Sequence, residues 1–181
     1  MTGHGTGELV PDSKDWTWVL ERRCPECGLD AGSVEPGDVG PRLRSSAAAW
    51  PAVLARPDVR DRPSVAVWSP LEYACHVRDV LRLYDERLRL MLEQDDPLYA
   101  NWDQDETAVR DAYGEQDPDV VLAQLQQAGQ ALAARFDGVR GARWERPGRR
   151  SDGASFTVAS FSRYLLHDVE HHLHDVGGRA V

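Results

Sequence analysis

The stretch Leu166-His167-Asp168-Val169-Glu170-His171-His172-Leu173-His174-Asp175 holds four of the chain's six histidines. His167 and His171 are four positions apart, so a helix sets them one above the other on a single face. Two neutral imidazoles placed this way can hold one transition metal, and a third ligand would complete an open site of catalytic type. Of the other two histidines, His4 and His76, only His76 falls in a strongly helical segment. The run is internal, followed by Val176-Gly177-Gly178, which sets it apart from an affinity tag. The competing reading is a solvated cluster with no ligand, because histidine pairs at this spacing also arise by chance. Cys24 and Cys27, in Cys24-Pro25-Glu26-Cys27-Gly28, have the form of one zinc knuckle, half of a four-ligand structural site. They are a candidate second zinc site whose other ligands would come from Cys75, His4 or a second subunit. A redox pair and two inert thiols are the alternatives.

These groups need elements to position them. Ser69-Pro70-Leu71-Glu72 is a capping box with proline at the first helical position, and the helix it opens can run to about Gln94. Tyr73, Val77, Val80, Leu81, Tyr84, Leu88 and Met91 share one face of it, with His76 at the edge of that face. Another helix is expected from Pro41 to Arg56, kinked or interrupted at Pro51. A third opens at Asp117-Pro118 and ends near Gly138. The last begins near Ser155 or Thr157 and ends at Gly177, a residue suited to a helix C-terminus. Residues 97–116 read as a loop with a short helix, residues 138–154 as a loop, and no strand pair stands out. Four long helices with long connections predict an all-α four-helix bundle over 39–178. Ahead of it lie a flexible tail at 1–15 and a small non-helical Cys-x-x-Cys arm at 16–38, packed down by Trp16, Trp18 and Val19.

Composition narrows the function classes. The 181 residues carry a formal net charge of −9, which opposes nucleic-acid binding because phosphate contacts need a basic face. No apolar run approaches a membrane span and no basic-then-apolar leader is visible, so a cytoplasmic location is expected. Three cysteines, an odd and small number, fit a reducing compartment.

The segment Trp68-Ser69-Pro70-Leu71-Glu72-Tyr73-Ala74-Cys75-His76-Val77-Arg78-Asp79, then Asn101-Trp102-Asp103, then His167-x-x-x-His171-His172, resembles the DinB-like (YfiT-like) superfamily over roughly residues 40–176. The order of parts carries the resemblance: one histidine in the second helix, then an HxxxH pair in the fourth. It implies an up-down bundle with an unusual connection and a divalent metal, zinc or nickel, held by His76, His167 and His171. Family members with a known activity are mostly thiol S-transferases, which use mycothiol or a related low-molecular-weight thiol as cosubstrate. The expected function is therefore metal-dependent thiol transfer to a small electrophile. The alternatives are a hydrolase or isomerase in the same site, or a non-catalytic metal-binding, stress-response bundle. Family bundles often pair, so a homodimer is compatible. Asp79, one turn after His76, is a candidate acceptor for a ligand imidazole, with a solvated surface charge as its alternative. Trp102 would wall the pocket, and Tyr164 and Arg163 would stand near its mouth, Arg163 holding an anionic group.

Overall fold

The computed structural model describes residues 16–179, so the expected tail at 1–15 lies outside the described residues. Four long helices carry the fold: α1 (Val39–Leu54), α2 (Pro70–Glu93), α4 (Pro118–Asp137) and α5 (Val158–Asp175), with a short α3 (Gln104–Arg110) between α2 and α4.

Local chemistry sets the helix ends. At α2, Glu72 N–H donates to Ser69 Oγ (3.3 Å) while Ser69 N–H donates to Glu72 Oε2 (2.8 Å), closing the capping box. Asp117 accepts from the N–H groups of Asp119 and Val120 ahead of Pro118. A second box starts α5, where Thr157 Oγ1 accepts from Ser160 N–H and Thr157 N–H donates to Ser160 Oγ. That helix stops at Gly177, whose φ of +65° disfavours any side chain, with Gly178 N–H donating to Leu173 O and Gly177 N–H to His174 O. Contrary to the expected interruption, α1 runs through Pro51. Only one turn follows the proline, Ala55 N–H bonds back to Pro51 O, and buried Trp50, Val53 and Leu54 hold that turn against the core.

The helices bury one continuous core. Its largest fully buried side chains include Trp50, Leu71, Leu88, Met91, Leu125, Leu132, Phe136, Phe161 and Leu165. Helices α1 and α2 each pack on both α4 and α5. A small sheet, absent from the sequence reading, caps one end: β1 (Leu98–Tyr99) pairs parallel with β2 (Pro147–Arg150), and β2 antiparallel with β3 (Ser155–Thr157). Strands of two to four residues with Gly148, Arg149 and Arg150 at their centre carry no apolar alternation, which is why sequence periodicity passes over them.

Residues 16–38 contain only three single-turn 3-10 helices and lie against α5. Val19, Cys24, Ala31 and Val34 are buried beneath them. Arg163 Nε donates to Val34 O (3.0 Å), and nearby Arg42 of α1 grips Glu170 of α5 in a two-point ion pair at 2.8 and 2.7 Å.

Candidate functional site

Helix α5 presents its histidines in two directions. Each helical step turns the side chain by about 100°, so the pair at 167 and 171 and the pair at 168 and 172 face different neighbours. Asp168 and His172 turn toward His76 on α2. Cys24 and Cys27 of the arm meet His167 and His171. Within each set the ligand-capable atoms all lie within 4.8 Å of one another. The resemblance grouped His76 with His167 and His171; in the structure the three divide, with His76 in one set and the HxxxH pair in the other.

In the first set His76 is buried while Asp168 and His172 are half-buried. His76 is 1% exposed, and neither of its ring nitrogens makes a hydrogen bond. Asp168 Oδ1 stands 3.4 Å from His76 Nε2 and 3.3 Å from His172 Nε2, close enough for ionic attraction, but it too accepts no well-directed hydrogen bond. Buried polar atoms rarely stay unmatched, and the unpartnered atoms of His76 and Asp168, gathered with His172, suit a cation. His172 Nδ1 lies 3.1 Å from Asp175 Oδ2, the carboxylate contact that orients the ring with Nε2 toward Asp168. Electrostatics agree. Burial alone disfavours an imidazolium at 172, yet flanking Asp168 and Asp175 raise that pKa to about 9. Burial likewise opposes charge on Asp168, but His172 and His76 hold its carboxyl well below the ordinary range. Both shifts have the same source, the close approach of His172 to Asp168.

Trp102 stacks on His76, ring centroids 5.4 Å apart and nearly parallel, and anchors its own Nε1–H on Thr107 Oγ1 (2.8 Å). Trp68 packs on His76 as well, at 5.3 Å.

A cleft of about 810 Å³ opens onto His167, Asp168, His171 and His172, a volume within the range of small-molecule sites. Tyr73, Tyr84, Trp102 and Tyr164 form its aromatic walls, and Trp16 and Glu26 reach it from the arm. Its carboxylates (Glu26, Asp103, Asp105, Asp152, Asp168, Asp175) outnumber its guanidiniums (Arg87, Arg150). The local field thus favours a divalent cation.

Other expected residues fall elsewhere. Asp79 is held by Arg78 (2.8 and 2.9 Å) and accepts from Tyr113 Oη (2.6 Å), while the carboxylate beside His76 is that of Asp168. Arg163 ties the arm to α5 through Val34 O and does not line the cleft; Arg87 and Arg150 do. Cys75 is buried against Tyr113 O and Gln116, where burial pushes its thiol up to about 12. Asp168, His172 and Asp175 were not singled out from sequence as ligands. The available signal was the second i, i+4 pair, Asp168-x-x-x-His172, lying one step along from the first.

In the second set Cys24 Sγ lies 3.7 Å from His171 Nδ1. Burial and neighbouring His171 lower the pKa of His167 to about 4, so its ring is neutral. Burial is also the main reason the Cys27 thiol is raised to about 11.

This fold has known relatives. The chain belongs to the DinB superfamily, whose family model matches residues 41–176. Among solved structures it is similar to YfiT from Bacillus subtilis, described as a probable metal-dependent hydrolase with an unusual four-helix bundle topology. The TM-score is 0.70 at 15% identity, over 80% of this chain and 89% of that one. No curated protein matches the sequence. The N-terminal arm precedes the segment matched by the family model. Among the described residues, no helix is long and apolar enough to cross a membrane.

Proposed function

We propose that this protein is a metal-dependent hydrolase acting on a small molecule bound in the cleft, with His76, Asp168 and His172 as the metal ligands. The observation that carries the reading is the convergence of buried, unpartnered His76 with the unpartnered Asp168 Oδ1 and with His172, beside a roomy cleft. The likeness to YfiT supports the reaction class through that protein's description.

Two histidines and one carboxylate are a donor set that a catalytic divalent ion accepts with a position left open. Such an ion would supply Lewis acidity toward a substrate oxygen and lower the pKa of a nucleophile. The protein's own residues do the rest. Asp175 orients the ring of His172. Trp102 and Trp68 sandwich His76 and keep water from its ring. Tyr164 and Arg150, whose guanidinium lies 5.7 Å from the Tyr164 ring centre, form a polar wall on which substrate can be oriented.

The cleft's volume also admits a low-molecular-weight thiol beside an electrophile, and that favours thiol S-transfer as the second reading. Thiol dependence of turnover separates the two. The test is to load the protein with zinc or nickel and screen small esters, amides and electrophiles with and without thiol. Hydrolysis without thiol that disappears in Asp168→Asn supports the proposal. Turnover that requires thiol moves the assignment to the transferase. Activity that survives Asp168→Asn but is lost in His167→Ala returns the metal to the His76, His167, His171 set.

A further inference from the structure

We propose that Cys24, Cys27, His167 and His171 form a closed structural zinc site that staples the N-terminal arm to α5, at the edge of the cleft and distinct from the set of His76, Asp168 and His172. This proposal stands whether or not the cleft is catalytic.

The geometry is that of a four-coordinate shell. With bonds of about 2.3 Å to sulfur and about 2.1 Å to nitrogen, a tetrahedral zinc site has ligand–ligand edges of roughly 3.4–3.8 Å. The Cys24 Sγ to His171 Nδ1 distance of 3.7 Å is already such an edge, and no ligand atom is more than 4.8 Å from another. His167 is 4% exposed and its Nε2 has no hydrogen-bond partner, although leaving a buried polar atom unmatched is unfavourable. A ligand bond satisfies it. The cysteines come from a tight turn in which Gly28 N–H donates to Cys24 O (3.0 Å) and Gly28 takes a φ of +77°, a conformation that favours glycine.

The surroundings argue for a structural role. Four protein ligands leave no open position, and two thiolates with two imidazoles are the donor set of structural zinc sites. Two thiolates neutralise the dipositive ion, and binding would release both thiol protons to solvent. The Trp16 ring covers both imidazoles, with centroids 5.5 Å from His167 and 5.4 Å from His171. The outward nitrogen of His171, Nε2, faces Glu26 Oε2 at 3.3 Å and Asp175 Oδ1 at 3.6 Å, the carboxylate support that ligand histidines commonly have. The arm needs such a staple, because it has only single-turn helices and a few small buried side chains of its own. Fixing it also fixes Trp16 and Glu26 in the wall of the cleft.

The test uses the full, reduced chain. After reconstitution with cobalt(II), the wild type and His76→Ala should both show thiolate-to-cobalt charge-transfer absorption, and Cys24→Ser/Cys27→Ser should not. Zinc should slow alkylation of the wild-type Cys24 and Cys27 by iodoacetamide at least tenfold, a readout that does not depend on the double variant folding. No charge-transfer band in the wild type, or alkylation at equal rates with and without zinc, overturns the proposal. Failure of the cleft reading would instead lower metal stoichiometry while leaving the cobalt band intact.

Discussion

The two ligand sets share one helix and differ in almost every other respect. His167 and His171 meet a segment only 23 residues long, at 16–38, that has no long helix or strand, and four ligand-capable atoms gather there within 4.8 Å of one another. Asp168 and His172 meet a rigid neighbour, α2, and only three ligand atoms gather, beside open space. A single residue step along α5 separates the set proposed as closed from the set proposed as open. What differs is the partner: a loop that needs holding, or a helix that already holds itself. Asp175 touches both sets, 3.1 Å from His172 Nδ1 and 3.6 Å from His171 Nε2.

Breaking the open set should have the largest effect. In His76→Ala or Asp168→Asn, turnover of any substrate found should fall by more than about a hundredfold, beyond the usual cost of losing a supporting outer contact. The cobalt–thiolate band should persist. Breaking the closed set should show first in stability. Losing zinc bound at about a hundred times its dissociation constant or more removes roughly 3 kcal/mol, which is about 6–12 °C in Tm for a chain of this size. Thermal melts of Cys24→Ser/Cys27→Ser with and without zinc check this, and the wild type alone should gain stability from the metal.

Asp175→Asn sharpens the comparison, because it weakens the support of both sets at once. Metal affinity should drop by roughly tenfold at each site. Competition with a chromophoric chelator, resolved into the cobalt–thiolate band and the remaining metal, would report the two losses separately. A loss confined to one site would show that Asp175 supports that set alone.

How far this arrangement could be read from sequence depends on which contacts are local. The capping box Ser69–Glu72, the start at Asp117-Pro118 and the stop at Gly177 are signals a few residues long, and each stands where the sequence reading put it. The pairing of α5 with its neighbours is not local. The 3.6-residue period shows that His167 and His171 share a face and that Asp168 and His172 share the next. It does not show which face turns to α2. That depends on how Phe161, Leu165 and Val169 seat α5 in the core, and the seating makes Asp168 the group beside His76. Equally, nothing in Cys24-Pro25-Glu26-Cys27-Gly28 reveals that the ligand-capable side chains beside it lie some 140 positions away. The knuckle was legible and its partners were not.

A distant control completes the comparison with the smallest expected effect. Glu72 closes the capping box of α2 and accepts from Arg62 Nε at 2.8 Å, and it belongs to neither ligand set. Burial opposes its ionisation, but Arg62 and the Ser69 N–H outweigh that and hold its pKa below the ordinary 4.5. A depressed carboxyl pKa means the folded state favours the charged form. Glu72 therefore stabilises the fold at neutral pH, and this contribution is lost as pH falls below 4.5 and through the depressed value. Glu72→Gln should cost about 1 kcal/mol at pH 7 and progressively less in acid, as read from urea midpoints across the pH range. Metal content at both sites should stay unchanged. If Glu72→Gln instead removed metal, the ligand sets would depend on the seating of α2 as a whole, and the independence of the two sets would have to be given up.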